Sequence, residues 1–196
     1  MPRTTPAEAL ELLKAGNARF VAGTPQAEPH GPRVAELAGG QSPFATVLGC
    51  SDSRVPIETV FDQAPGALFV VRVAGNFLND DNLGSIEFAV DVLNVNLIVI
   101  LGHENCGAVT AAVDYVRDGA TQPGHIQGIV KALEPAVQGA RGISGSWLQN
   151  AIAHNVMLNV RAASARSKLI AAPVDAGEVK VIGGIYNLNT GIVLFS

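Results

Sequence analysis

Both cysteines of the chain fall in fragments that read as ligand sets, Cys50-Ser51-Asp52-Ser53-Arg54 and His103-Glu104-Asn105-Cys106. Two thiolates and one imidazole can hold a zinc ion tetrahedrally and leave a fourth position for water or substrate, the pattern of a catalytic rather than a closed structural site. Cys50, His103 and Cys106 are therefore the candidate metal ligands, for one zinc per chain. The spacing His-x-x-Cys lets two side chains reach one ion from a single turn, while Cys50 must arrive from another element. Asp52 and Arg54 follow that cysteine closely. A carboxylate so placed either fills the fourth position itself or pairs with a cation and accepts a hydrogen bond from coordinated water. A guanidinium fork holds a carboxylate bidentately, keeps it ionised and keeps it off the metal, so Asp52 and Arg54 are the candidate catalytic pair. Water on zinc has a pKa of roughly 7, and the chemistry expected is attack by a hydroxide nucleophile at neutral pH.

The elements that must position these residues alternate between helix and strand. Phe44 to Leu48, Leu68 to Val71 and Leu97 to Leu101 are short apolar runs, rich in β-branched residues, that read as strands buried on both faces of a parallel sheet. Cys50 and His103 then stand at the carboxyl ends of two strands, where open α/β sheets build their sites. Cys106 opens a helix over 108–116, whose N-terminal N–H groups favour a thiolate. A helix capped by Asn82 or Asp81, with Ile86, Phe88, Ala89, Val90 and Leu93 on its buried side, completes a β-α-β unit. Thr5-Pro6-Ala7-Glu8 starts a helix running towards Gly23. Its apolar stripe of Leu10, Leu13 and Phe20 is thin, which suits an arm (1–23) reaching across to another subunit. The pattern from Ser146 to Ile170 predicts one or two helices, and Val179 to Tyr186 and Ile192 to Phe195 flank a turn with Gly191 at the position needing positive φ. The fold class expected is α/β: a mostly parallel central sheet flanked by helices, with an N-terminal helical arm and a C-terminal strand pair.

With 196 residues, 48% hydrophobic and 15% charged, the chain can bury one core and reads as a single domain over 1–196. A formal charge of -4 without a run of Lys or Arg argues against nucleic acid as a partner. The first residues lack a signal-peptide core, and the run from Leu97 to Leu101 is too short to cross a bilayer, so no membrane association and a cytoplasmic location are expected. Reduced thiols serving a metal are expected there rather than a disulfide.

Cys-x-Asp-x-Arg, followed about fifty residues later by His-x-x-Cys-Gly, resembles the β-class carbonic anhydrases. Gly49-Cys50-Ser51-Asp52-Ser53-Arg54-Val55-Pro56 is similar to theirs almost letter for letter, and Phe69 to Asn76 and Gly84 to Ala89 extend the likeness over 41–113. The resemblance implies reversible hydration of carbon dioxide to bicarbonate and a proton, by zinc-bound hydroxide. It implies Cys50, His103 and Cys106 as ligands, Asp52 and Arg54 as the catalytic dyad and Gly107 as a backbone donor near the substrate. Gln41, Phe69, Phe88 and Ala74 are implied as the substrate pocket, and the assembly as a homodimer or tetramer of dimers embraced by N-terminal helices. Gln41 resembles the glutamine of the plant-like, open-site members; members regulated by bicarbonate carry Trp where this chain has Val47, although Arg72 and Tyr186 resemble the rest of their pocket. The open site, with Asp52 on Arg54, is therefore expected. The alternatives are a carbon disulfide or carbonyl sulfide hydrolase on the same scaffold, and a non-catalytic zinc- or bicarbonate-binding protein. His30, His125 and His154 lack partners at ligand spacing and read as surface or satisfied histidines, while Asp62 and Glu87 read as partners of Arg54 or Arg72, or as solvated groups.

Overall fold

A computed structural model describes residues 4–27 and 32–196; the expectation for His30 lies outside them. Helix α1, Pro6–Ala22, begins as its sequence predicts: Thr5 and Glu8 form a reciprocal capping box, Pro6 occupies the first turn, and Gly23 closes the helix at φ 67°. Its contact with the rest of the chain joins the apolar stripe of Leu10, Leu13 and Phe20 to small and polar residues. Ala9, Leu13, Gly16 and Asn17 are buried. Asn17 Nδ2 donates to the Val60 and Gly191 carbonyls, and its Oδ1 accepts from the Val193 N–H. This face of α1 is thus committed to its own chain, while Leu12 and Val21 remain exposed. A short helix, α2 (Pro32–Leu37), precedes the sheet.

The sheet comprises β1 (Ala45–Gly49), β2 (Leu68–Arg72), β3 (Leu97–His103), β4 (Lys180–Tyr186) and β5 (Val193–Phe195), in the spatial order β2-β1-β3-β4-β5. The first four strands run parallel, and β5 returns antiparallel to β4 around Gly191, whose φ is 75°. Between the strands lie α3 (Ile57–Val60), α4 (Asp80–Asp91), α5 (Gly107–Asp118), α6 (Ile126–Gly139), α7 (Trp147–Arg166) and α8 (Lys168–Asp175). Every residue of β1 and β3 is buried. Successive side chains serve opposite faces: Val99 and Leu101 join Leu13 and Phe61 on one side, while Ile98 and Ile100 pack with Ile86 of α4 and Val156 of α7 on the other. From β1 the chain steps outward to β2, and from β3 it steps the other way to β4. The carboxyl ends of β1 and β3 are therefore the topological switch point, where a crevice opens in sheets of this kind.

Several local details differ from the sequence expectation. Asn79, rather than Asn82 or Asp81, caps α4, its side chain accepting from the Asn82 N–H. Phe88 does not join the buried side of α4, which is made of Asn82, Leu83, Ile86, Ala89 and Val90; two residues from both Ile86 and Val90, it falls on the opposite face and is 45% exposed. Leu93 lies just past the helix and is half-buried. The long pattern after Ser146 resolves into two helices because Ser167, extended at φ -129°, ends α7 and caps α8. Among the described residues no helix is long and apolar enough to cross a membrane.

Candidate metal centre

The three candidate ligands reach one point from three elements. Cys50 follows the last residue of β1, His103 is the last residue of β3, and Cys106 is the N-cap of α5. All three are buried, with their ligand atoms within 4.8 Å of one another. The Cys50 and Cys106 sulfurs are 3.9 Å apart. Two thiolates on a tetrahedral zinc, each at about 2.3 Å, stand roughly 3.8 Å apart, so the pair has the span of shared ligands. The His103 ring contributes a second test. Its Nδ1 lies 2.9 Å from the Glu104 carbonyl oxygen, to which an Nδ1–H donates, and this tautomer turns a bare lone pair at Nε2 towards the sulfurs. Nε2 is buried without a hydrogen-bond partner. A buried acceptor left bare is costly, and a cation in the cradle of two sulfurs and this nitrogen removes the cost. The donor set fits zinc.

Local backbone makes the convergence possible. Asn105 adopts φ 52°, a left-handed conformation that asparagine tolerates, and turns the chain so that Cys106 comes back beside His103. Gly75, at φ 83°, brings its N–H to 3.3 Å from Cys50 Sγ. The hydrogen bond from Cys106 first, with those from the Gly75 and Asp52 backbone, outweighs burial and holds the Cys50 thiol well below its ordinary value. The neighbouring Cys50 sulfur and burial push Cys106 upward, against the N–H groups of Ala108 and Val109 at the start of α5. A cation between the two sulfurs would favour the ionised form of both.

Asp52 is paired as the residue types predict. Arg54 Nε donates to Oδ1 at 2.9 Å and Nη2 to Oδ2 at 2.7 Å, while the Arg54 backbone N–H adds a bond of 2.9 Å to Oδ1. The side-chain bond to Arg54 is the main reason the Asp52 carboxyl lies well below the usual carboxylate range. Oδ2 stands 3.8 Å from His103 Nε2, beside the centre. Arg72 secures the same turn through its backbone: Nε donates to the Cys50 carbonyl at 2.9 Å and Nη2 to the Asp52 carbonyl at 2.8 Å. Neither arginine pairs with Asp62 or Glu87. Asp62 instead binds Arg19 and accepts the backbone N–H groups of Gln26 and Ala27, and Glu87 is half-buried on α4.

The remaining expected residues divide into two groups. Gly107 is the first residue of α5, exposed, with open space where a side chain would be, and Ala74 is half-buried beside Gly75. Gln41, Phe69 and Phe88 are not brought to the metal centre of their own chain. Gln41 lies four residues before the amino end of β1, whereas Cys50 follows its carboxyl end, and the strand between spans about 16 Å at about 3.3 Å per residue. Phe69 sits opposite Thr46 in the register, well before the strand ends, and its ring meets that of Phe88 at 6.2 Å on the β2 edge. His154 is satisfied by the Ala136 carbonyl, and His125 is exposed at the start of α6.

The model of the family described as carbonic anhydrase matches residues 45–193. Carbonic anhydrase 2 of Mycobacterium tuberculosis is 43% identical over 192 residues, 97% of this chain and 93% of that protein. The solved β-carbonic anhydrase CafA of Aspergillus fumigatus superposes with a TM-score of 0.74 at 27% identity, covering 97% of this chain and 89% of that one. One of two tetrameric β-carbonic anhydrases of Sordaria macrospora gives 0.69 at 27% identity over 83% and 84%. A likeness that spans both the switch-point cleft and the sheet behind it has one reading: the chain belongs to the β-class carbonic anhydrases.

Proposed function

We propose that the chain hydrates carbon dioxide reversibly to bicarbonate and a proton at a zinc ion held by Cys50 Sγ, Cys106 Sγ and His103 Nε2. The observation that carries the reading is the buried, unpartnered Nε2 facing two sulfurs, with Asp52 turned to Arg54 alongside. Zinc, when bound, supplies Lewis acidity that makes a water molecule nucleophilic near pH 7. The protein does the rest. Asp52 stays ionised and, with one side engaged by Arg54, keeps lone pairs free to accept a hydrogen bond and orient the attacking water. Gly107 opens α5, where N–H groups lack helical partners and the helix dipole favours negative charge, so it can steady the oxygen that becomes anionic. The buried walls of Cys50 and Cys106 keep bulk water from the metal side.

Gln41, Phe69 and Phe88 can join such a centre only if a second copy presents them, and we infer an oligomer in which each cleft is lined by its neighbour's aromatic pair and glutamine. The exposure of Phe88 supports this. The test is hydration of carbon dioxide by the purified protein from pH about 6.5 to 9, with zinc counted per chain and the assembly sized by sedimentation. Activity with one zinc per chain is expected, and Asp52→Ala should keep the zinc and lose about 100-fold or more in rate. Zinc retained with no hydration at any pH would sink the reading and turn attention to carbonyl sulfide and carbon disulfide.

A further inference from the structure

The loop between β2 and α4 carries the N–H that meets Cys50, yet it contains no regular structure. Side chains hold its backbone instead. Asn155 Nδ2 donates to the Gly75 carbonyl at 2.9 Å, and Asn159 Oδ1 accepts the Leu78 N–H at 2.8 Å. Arg166 Nη1 donates to the Leu78 carbonyl at 2.7 Å and Asn82 Nδ2 to the Phe77 carbonyl at 3.1 Å. Asn155, Asn159 and Arg166 all belong to α7, so one helix grips the loop at three points. The two asparagines are 2% and 3% exposed and are joined to each other, Asn159 Nδ2 donating to Asn155 Oδ1 at 3.0 Å. Two amides buried one turn apart on the sheet-facing side of a helix are costly unless every group is used, and apolar residues would fill the space more cheaply. What they achieve is local to Gly75. That residue stands at φ 83°, and an added Cβ would lie 2.7 Å from Leu133 Cδ1, so the loop is closely confined and its aim at Cys50 depends on what holds it.

We propose that Asn155 and Asn159 are positioning residues for the metal centre, fixing the loop so that the Gly75 N–H stays on Cys50 Sγ. The inference rests on the three-ligand reading above. A hydrogen bond to a ligating thiolate sets its direction and draws off part of its charge, and losing such an outer partner typically costs 10- to 100-fold in metal affinity. The experiment uses the full-length zinc protein with Asn155→Leu, the isosteric Asn155→Asp and Asn159→Leu, and Ile170→Val in α8 as a control for general destabilisation. Zinc transfer to a chelator and the thiolate-to-metal charge-transfer band of the cobalt-substituted protein are measured, with circular dichroism reporting the fold. Zinc release about 10-fold or more faster and a displaced band are expected in each folded asparagine variant. Ile170→Val should melt lower with neither change. Asparagine variants that melt lower but hold zinc as long as the parent, with an unmoved band, would overturn the proposal alone. A parent protein that takes up no zinc would overturn the ligand reading first, and this one with it.

Discussion

Asp52 and Asp62 show how differently two carboxylates of one chain are used. Asp52 is held ionised by Arg54 at the mouth of the centre, so a fall in hydration between pH 9 and 6 cannot come from its protonation. Asp62 is structural. Burial pushes its carboxyl up, but the Ala27 and Gln26 N–H groups and the Arg19 guanidinium outweigh this and bring it below its ordinary value. A carboxyl lowered on folding contributes stability above its unfolded pKa, about 4, and loses it as pH falls through the folded value. Asp62→Asn should therefore lower the urea midpoint at pH 7, with the gap to the parent narrowing progressively below about pH 4; a gap independent of pH would mean that the charge contributes nothing. The candidate metal ligands were legible because their types are rare and their spacing short. Gly75 and Asn105 were legible only as letters, and Arg72 was singled out without its role, because each acts through backbone geometry or backbone carbonyls, which leave no periodic trace.

Helix α1 illustrates the same limit one level up. Its start and end were readable from Thr5, Pro6, Glu8 and Gly23, but its docking was only partly so, since Gly16 and Asn17 share the contact with the apolar stripe. A Cβ at Gly16 would sit 1.8 Å from the Phe61 carbonyl oxygen, a backbone atom that cannot swing aside. Gly16→Ala should accordingly destabilise the fold by about 2 kcal/mol or more, read from urea unfolding at constant slope, despite the better helix propensity of alanine. A neutral or stabilising result would mean that α1 does not seat against Phe61. Strands β1 and β3 were readable because burial on both faces leaves an unbroken apolar run. Helix α6 escaped notice because Gly128, Pro135 and Gly139 interrupt it, and Phe88 was misplaced on α4 because an apolar residue was credited to the core without regard to its angle.

For the molecule as a whole, fold class and site location follow from one another: connections leaving the parallel strands β1 and β3 in opposite directions open a crevice between them, and two of the three candidate ligands stand at the ends of those strands, with Cys106 at the start of α5. What no single sequence can say is which copy uses a residue, and the place of Phe69 and Phe88 on the β2 edge, away from the centre of their own chain, is what the oligomer proposed above would explain. The division of ligands between β1 and β3 also has a kinetic side. The two strands are adjacent in the sheet, but β2 and α4 intervene in the chain, so the cradle exists only after that whole unit has closed. A zinc ion held there as proposed would arrive late, acting less as a nucleus than as a lock on a structure already made. Stopped-flow measurements with and without zinc should find refolding nearly unchanged and unfolding slowed by most of the binding energy. Acceleration of refolding by zinc would place the ion in the transition state instead. In a cell, metal supply would then govern how long each folded molecule lasts, while the rate at which new ones form would be set by the sheet.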